Sequence, residues 1–327
     1  MKAIVVPQPG GPEVLAVADV PAPVPGPGEV LIDVVAAGIN RADIQQRRGF
    51  YPPPPGASNI LGLEVSGRIA GFGPNVTRPF SIGEKVVALL SGGGYAQQVA
   101  VPAGQVLKLP EGVDVVTAAS LPEVAATVYS NLFMTAQLQP GETVLVHGGT
   151  GGIGVMAVQL AKAAGAKVIA TAGSDEKVAM LTSYLGADVA INYKTQDFVK
   201  LVAEHTSGLG ANVILDVVGA KYLAQNVSAL ALYGRLVVIG LQGGATAELN
   251  LGTLLAKRAA VIGTTLRARP VEEKSAIMDG VRDNVWPLVA SGVVKTVVDK
   301  TFPMAQVAAA HAYFDSGAHV GKVLLLA

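Results

Sequence analysis

The sequence contains no cysteine. That removes disulfides, thiolate nucleophiles and cysteine-ligated metals together. The four histidines, His147, His205, His311 and His319, are scattered and form no HExxH pattern or carboxylate-rich cluster. A protein-held catalytic metal is therefore not expected. Charge of one sign is also missing: Lys plus Arg and Asp plus Glu each number 24, for a formal net charge of zero. Nucleic-acid binders carry a basic excess or stripe, so no nucleic-acid partner is expected. No apolar run approaches the ~20 residues of a membrane-spanning helix. The opening MKAIVVPQPG reaches Pro7 too soon to read as a secretory signal. These absences lead to the expectation of a cytoplasmic protein with no membrane role.

Apolar residues are plentiful. Half of the 327 residues are hydrophobic and 15% are charged, enough to bury the cores of two domains. The first third reads as short strands at 3–6, 29–36, 63–71, 85–90 and 95–101, broken by glycine- and proline-rich turns. Such spacing argues for an antiparallel barrel or sandwich. The pattern changes near Pro122. A helix is expected over 123–138. Strands follow at 143–147, 167–171, 189–192, 213–217, 236–239 and 260–263, with helices at 153–164, 175–185, 197–206 and 221–231 among them. Six buried strands alternating with helices describe a doubly wound parallel α/β sheet of the dinucleotide-binding type. After Arg267 come a long helical stretch at 270–291, with Pro287 expected to kink or end it, a strand at 297–302, a helix at 305–315 and a last strand at 323–326. That tail is too short to stand alone and is expected to complete the first domain. The domains are thus 1–122 with 268–327, and 123–267.

The strongest local signal is TVLVHGGTGGIGVMAVQLAKAAGAKVIATAGS. Gly149, Gly151 and Gly154 match G-x-G-x-x-G between a strand and an amphipathic helix, with Thr150, Gly152 and Ile153 completing the loop. Gly149 is expected to allow the tight turn, Gly151 the approach of a pyrophosphate, and Gly154 close packing of the helix on the sheet. Unpaired amides at the helix start face the phosphates. The second strand ends Thr171-Ala172-Gly173-Ser174 with no carboxylate at its tip, and Lys177 follows one helical turn later. NAD sites place an acidic residue there. Space at Gly173, a hydroxyl at Ser174 and charge at Lys177 favour NADPH, with Asp175 and Glu176 read as early helix residues opposing the dipole. An ordinary glycine turn and a solvated surface lysine are the plainer alternatives.

Along essentially its whole length the chain resembles the zinc-free medium-chain dehydrogenases/reductases, and within them the NADPH:quinone oxidoreductases. The matching stretches include PGGPEVL, GINRADIQQRRG, YPPPPGASNILGLEVSG, HGGTGGIG, NYK, ILDVVGA and GTTLRAR. The resemblance implies a GroES-like β-barrel domain built from both chain ends, a six-stranded Rossmann domain between them, and an active site in the cleft. In zinc-dependent relatives a Cys stands where this chain has Asn40, and a His where it has Leu63. Neither residue here is a metal ligand, and no metal site is expected. The resemblance also implies cofactor contacts for Thr127, Tyr193, Gly240, Leu241, Arg267 and Lys322, the last two as cations lining the cleft. A surface role is the rival for both.

Without ligand side chains no Lewis acid is expected to hold an alcohol oxygen. Hydride donation from NADPH to a quinone or a related activated carbonyl or enone fits better. Tyr51 is the leading side chain for touching substrate, by stacking on a flat ring and offering a hydroxyl to a developing oxyanion. Its alternative is packing on Pro52–Pro55. Asn40 either orients acceptor or nicotinamide, or caps a short helix at 41–47 with Asp43, which is otherwise read as structural. Thr127 serves the carboxamide or bonds back to its own helix. Glu64 and Glu123 are read as buried carboxylates, in a core ion pair or in catalysis. His147 is expected to pack at a strand end. An enoyl-thioester or alkenal reductase and a non-catalytic, crystallin-like NADPH-binding protein are the competing functions. The apolar AAVIGTTL strand suggests a homodimer formed edge to edge.

Overall fold

Alternating inward apolar residues shape the first sheet. In the computed structural model, which describes residues 1–327, β1 (Lys2–Val5) pairs antiparallel with β2 (Ala16–Asp19). The long β3 (Glu29–Gly38) pairs antiparallel with β4 (Glu64–Phe72), and β5 (Lys85–Leu89) lies on the far side of β4. β6 (Gln98–Pro102) pairs with β3, and β7 (Val106–Lys108) with β5. The strand expected from residue 95 starts only at Gln98. Tyr95 is instead fully buried, its amide donating to the Leu61 carbonyl and its carbonyl accepting from Ile4. β2 was not expected, because its four residues are mostly exposed and show no apolar alternation.

The chain divides into two compact units: Met1–Ala126 with Leu266–Gly292 and Thr296–Ala327, and Thr127–Thr265 with Val293–Lys295. The second unit holds β8 (Thr143–Val146), β9 (Lys167–Ala172), β10 (Val189–Asn192), β11 (Ala211–Asp216), β12 (Leu230–Val238) and β13 (Ala260–Gly263). All pairings are parallel, in the order β10-β9-β8-β11-β12-β13. This is the doubly wound order, with its reversal between β8 and β11. In such sheets ligands sit beyond the strand C-termini at that point. Central strands such as Val144–Val146 and Val213–Leu215 are buried as continuous apolar runs, because helices cover both faces.

Three local differences have identifiable causes. The helix expected over 123–138 is α-helical at Pro122–Val128 and then passes into a π-helical stretch, Tyr129–Thr135. There the Asn131 side chain donates to the Thr127 carbonyl at 2.7 Å, and the Ala136 amide reaches back five residues to the Asn131 carbonyl. The helix expected to reach residue 231 stops at Ala229, because Leu230 is already paired with Ala211. A helix at Leu251–Lys257 was not expected; Asn250 starts it by accepting from the Thr253 amide.

Beyond the second unit the chain returns to the first. The helix Val271–Asn284 parts from Trp286–Ala290 at Val285, ahead of Pro287, which has no amide to continue it. Then β14 (Val298–Pro303), the helix Val307–Ser316 and β15 (Lys322–Leu326) follow. β15 runs parallel to β14 and antiparallel to β3, extending the first unit's sheet to seven strands. Val30, Ile32, Ile69, Tyr95, Val323 and Leu325 belong to its single large apolar core.

Candidate active site and nucleotide cradle

The glycine loop of the second unit works differently, residue by residue, from the sequence expectation. The left-handed turn is made by Gly148, with φ of 68°, not by Gly149. Gly149 is small for packing: a β-carbon there would lie 2.7 Å from Leu181 and 3.0 Å from Ala170. Gly154 is small because a β-carbon would stand 2.2 Å from the Gly148 carbonyl, so it packs against its own loop rather than the sheet. At Gly151 a β-carbon would meet only the Gly148 carbonyl, at an ordinary contact distance of 3.5 Å. The helix Gly152–Ala163 makes its first bond from the Val155 amide to the Gly151 carbonyl. The amides of Gly152, Ile153 and Gly154 therefore have no helical acceptor and point out of the helix start. Thr150 is buried beside them. This cradle fits a phosphate group.

At the tip of β9, Ser174 caps the next helix by accepting from the Lys177 amide. The Asp175 carboxylate is taken up by the Asn192 side chain at 2.7 Å. Tyr193 follows β10, with its amide on the Ala172 carbonyl and its ring half-exposed over Gly173. Gly173, Ser174, Lys177 and Tyr193 are thus brought together. On the other side of the switch point, buried Asp216 accepts from the Val218 and Gly219 amides at 2.7 and 3.0 Å, and burial raises its carboxyl above the ordinary range. That fixes the loop against which Gly240 packs, with Leu241 exposed beside it. Thr127 is buried, its carbonyl engaged by Asn131. His147 lies among Phe198 and Tyr222, with Nε2 donating to Asn226 at 2.7 Å, and burial lowers it to about 4. It is neutral at physiological pH and is a packing residue, as the sequence suggested.

In the first unit, Asn40 ends up in a buried polar knot. Its Nδ2 donates to Glu64 Oε1 at 2.9 Å, and its Oδ1 accepts from Lys322 Nζ at 2.6 Å. Lys322 Nζ also donates to the Ile39 carbonyl at 2.9 Å and pairs with Glu64 Oε1 at 2.6 Å. Glu64 Oε2 accepts from the Glu123 amide. Lys322 therefore differs from the cleft cation that the resemblance implied: its three protons serve Glu64, Asn40 and a backbone carbonyl inside this unit. The small helix Arg41–Arg47 is present, and Asp43 Oδ2 accepts from the Asn40 amide at 2.8 Å.

Tyr51 and Arg267 form the second group in this unit. The guanidinium lies 5.3 Å from the Tyr51 ring centroid. It donates through Nε to the Ser91 carbonyl, through Nη2 to Gln46 Oε1 at 2.7 Å, and weakly through Nη1 to the Tyr51 carbonyl. Desolvation raises the Tyr51 hydroxyl above its usual range, partly offset by Arg267. Lys274 is buried beneath, donating to Ser91 Oγ at 2.6 Å. Gln46, Ser91, Lys274, Tyr95, His311 and Arg47 were not singled out from sequence. Gln46 and Arg47 lie in the polar run RADIQQRRG and Lys274 in VEEKS, so nothing local set them apart. No group of three or more His, Asp or Glu suited to a metal ion occurs.

A barrel-type unit and a doubly wound sheet with a glycine cradle in one chain make up the architecture of the medium-chain dehydrogenases/reductases. The alcohol dehydrogenase GroES-like domain family matches residues 26–111, and the zinc-binding dehydrogenase family residues 152–280. The chain is 32% identical to the human quinone oxidoreductase, over 100% of its own length and 98% of that protein. It is equally similar, at 32%, to a 2-haloacrylate reductase of a Burkholderia species, over 99% of this chain and 98% of the relative. The structure of Escherichia coli quinone oxidoreductase complexed with NADPH superimposes with a TM-score of 0.89 at 31% identity, covering 100% of both chains. The chain belongs to the quinone oxidoreductase family.

Proposed function

We propose that the protein is an NADPH-dependent reductase of quinones or related activated carbonyl and enone acceptors, working without a protein-bound metal. The observation that carries this reading is the tip of β9. It lacks a carboxylate; Asp175 and Glu176 lie in the first turn of the following helix, and Asp175, the nearer acid in sequence, is turned to Asn192 while Gly173, Ser174, Lys177 and Tyr193 gather. Bound there, NADPH supplies a hydride to an electron-poor acceptor. The amides of Gly152, Ile153 and Gly154, in the loop shaped by Gly149 and Gly151, hold its pyrophosphate; Ser174, Lys177 and Tyr193 hold the 2′-phosphate. Thr127, Gly240 and Leu241 border the nicotinamide half. Tyr51, kept protonated by its raised hydroxyl, donates to the acceptor oxygen as charge develops there, and Arg267 steadies its ring. Asn40, fixed by Glu64 and Lys322, orients the acceptor.

The test is NADPH consumption against a panel of quinones, with NADH in parallel. Expected is quinone-dependent turnover with a preference for NADPH that falls roughly tenfold or more in Lys177→Ala, the worth of one lost charged hydrogen bond. Turnover with no quinone in the panel defeats the proposal. The 32% identity to a 2-haloacrylate reductase favours a second reading, reduction of an activated C=C bond. Direct competition between a naphthoquinone and an α,β-unsaturated acid or thioester separates the two by their kcat/KM ratio.

The first unit is read as the acceptor-binding domain and the second as the nucleotide domain. A homodimer is proposed through β13, which pairs only with β12 and leaves Val261 and the neighbouring Leu255 exposed. Light scattering that gives a monomer mass at working concentration overturns this part. No helix is long and apolar enough to cross a membrane, and a cytoplasmic setting is proposed.

A further inference from the structure

Asp43 has no exposed surface, yet its carboxylate is the meeting point of three donors. Oδ2 accepts from the Asn40 amide at 2.8 Å and from the Tyr95 hydroxyl at 3.2 Å, and Oδ1 from the Gly62 amide at 3.0 Å. Asn40 and Gly62 are the two ends of the segment that carries Tyr51. Its prolines stiffen the middle of that segment but anchor neither end. Gly62, at φ of 102°, is pressed against Gly94 and Tyr95 so closely that a β-carbon would lie 2.6 Å from the Gly94 Cα.

Behind Tyr95 the polar chain continues. His311 Nε2 lies 3.2 Å from the Tyr95 hydroxyl, and His311 Nδ1 lies 3.1 Å from Arg47 Nη1. A guanidinium only donates, so Nδ1 is the acceptor and Nε2 carries the proton. The Tyr95 oxygen thus accepts from His311, and its own hydrogen is directed to Asp43. Every bond points the same way, from Arg47 through His311 and Tyr95 to the carboxylate. Arg47 is itself fully buried and anchored to Asp315 at 2.8 Å and to the Gly10 carbonyl.

We infer that Asp43, in its ionised form, is a positioning residue of the reductase: it clamps both ends of the segment 40–62 and so sets Asn40 and Tyr51. Only the kinetic part of this inference rests on the proposed function. Three donors fill three of the carboxylate's four lone-pair sites; protonation removes the charge and turns one oxygen into a hydroxyl, a weaker acceptor, so the clamp on the segment ends weakens. Burial raises Asp43 to about 6, against the opposing pull of the Asn40 and Gly62 amides, Lys322 and Tyr95. The other charged groups around it are Arg267, whose positive charge acts on Asp43, and Glu64, which is paired with Lys322. Buried His311 is held at about 3 and stays neutral throughout.

The experiment compares wild type, Asp43→Asn and Tyr95→Phe. In wild type, acceptor turnover is expected to fall as pH drops through about 6. Tyr95→Phe removes a donor that favours the charged carboxylate, so the acid limb moves upward by roughly half a pH unit or more. Asp43→Asn, which cannot accept all three bonds, lowers acceptor kcat roughly tenfold or more while leaving NADPH Kd within about twofold. In the resting protein, hydrogen exchange at the Asn40 and Gly62 amides provides a readout independent of turnover. Their protection is expected to drop in Asp43→Asn, and in wild type below about pH 6. An acid limb unmoved in Tyr95→Phe, or amide protection unchanged through that range, overturns the inference. If wild type reduces no acceptor, the proposed function fails, and the exchange measurement still decides the role of Asp43. If Asp43→Asn does not fold, Tyr95→Phe carries the test.

Discussion

The Tyr193 hydroxyl and Gly173 are in contact: a β-carbon on Gly173 would stand 2.6 Å from the hydroxyl oxygen. The tyrosine is half-exposed and sits on a flexible side chain, so Gly173→Ala is expected to swing it aside at little cost to the fold. The expected result is an NADPH Kd raised roughly tenfold, from the loss of one charge-assisted contact, with the melting temperature within a few degrees of wild type. Calorimetric titration and a thermal scan check both halves.

Gly151 and Gly154 belong to one motif but answer to different constraints. A methyl group at Gly154 would meet the Gly148 carbonyl at 2.2 Å, and neither backbone can yield cheaply. Gly154→Ala is expected to destabilise the protein by about 1–3 kcal/mol. The methyl of Gly151→Ala meets nothing closer than the Gly148 carbonyl at 3.5 Å, so stability is kept while NADPH binding is expected to weaken. Urea unfolding and NADPH titration of the two variants should give opposite patterns.

Much of this organisation is written in the sequence, and the omissions have physical reasons. The central strands of the second unit stand out because strands buried on both faces are unbroken apolar runs. The cradle and the β9 tip stand out because phosphate recognition needs small residues and free amides at fixed spacing. The role of Asp43 does not. Asn-x-x-Asp announces a helix cap, and nothing local says that the same carboxylate also reaches Gly62 and Tyr95. The Lys322 partnership with Glu64 and Asn40 is hidden for the same reason, since only tertiary folding brings them together. Nor does the glycine motif show that Gly148 makes the left-handed turn in place of Gly149.

The Glu64–Lys322 pair is almost wholly removed from water, with side-chain exposures of 0% and 5%. Lys322→Met leaves the carboxylate buried without its cation, which costs about 3–5 kcal/mol. Adding Glu64→Gln removes the orphaned charge and is expected to recover part of that loss. Denaturant midpoints of wild type, the single variant and the double variant test the coupling.

His147 and His311 both have their imidazoles held well below the ordinary value, at about 4 and about 3. A depressed folded-state value means the unfolded chain takes up protons first. Their contribution is therefore fully present above about pH 6.5 and is lost as pH falls toward 4 and 3. For His147 alone the shift corresponds to about 3 kcal/mol. Urea unfolding at pH 7 and pH 4.5 should show His147→Gln losing less stability between the two conditions than wild type does.

Lys322 and Ile39 meet across 283 positions of sequence, because β15 slots between β14 and β3. During synthesis, the parallel sheet of the second unit emerges with its chain almost uninterrupted and can form while the first unit still lacks that strand. Until β15 arrives, β3 has an open edge and Glu64 has no cation. The first unit is thus assembled last, and a nascent chain is expected to complete the parallel sheet before it can arrange Asn40.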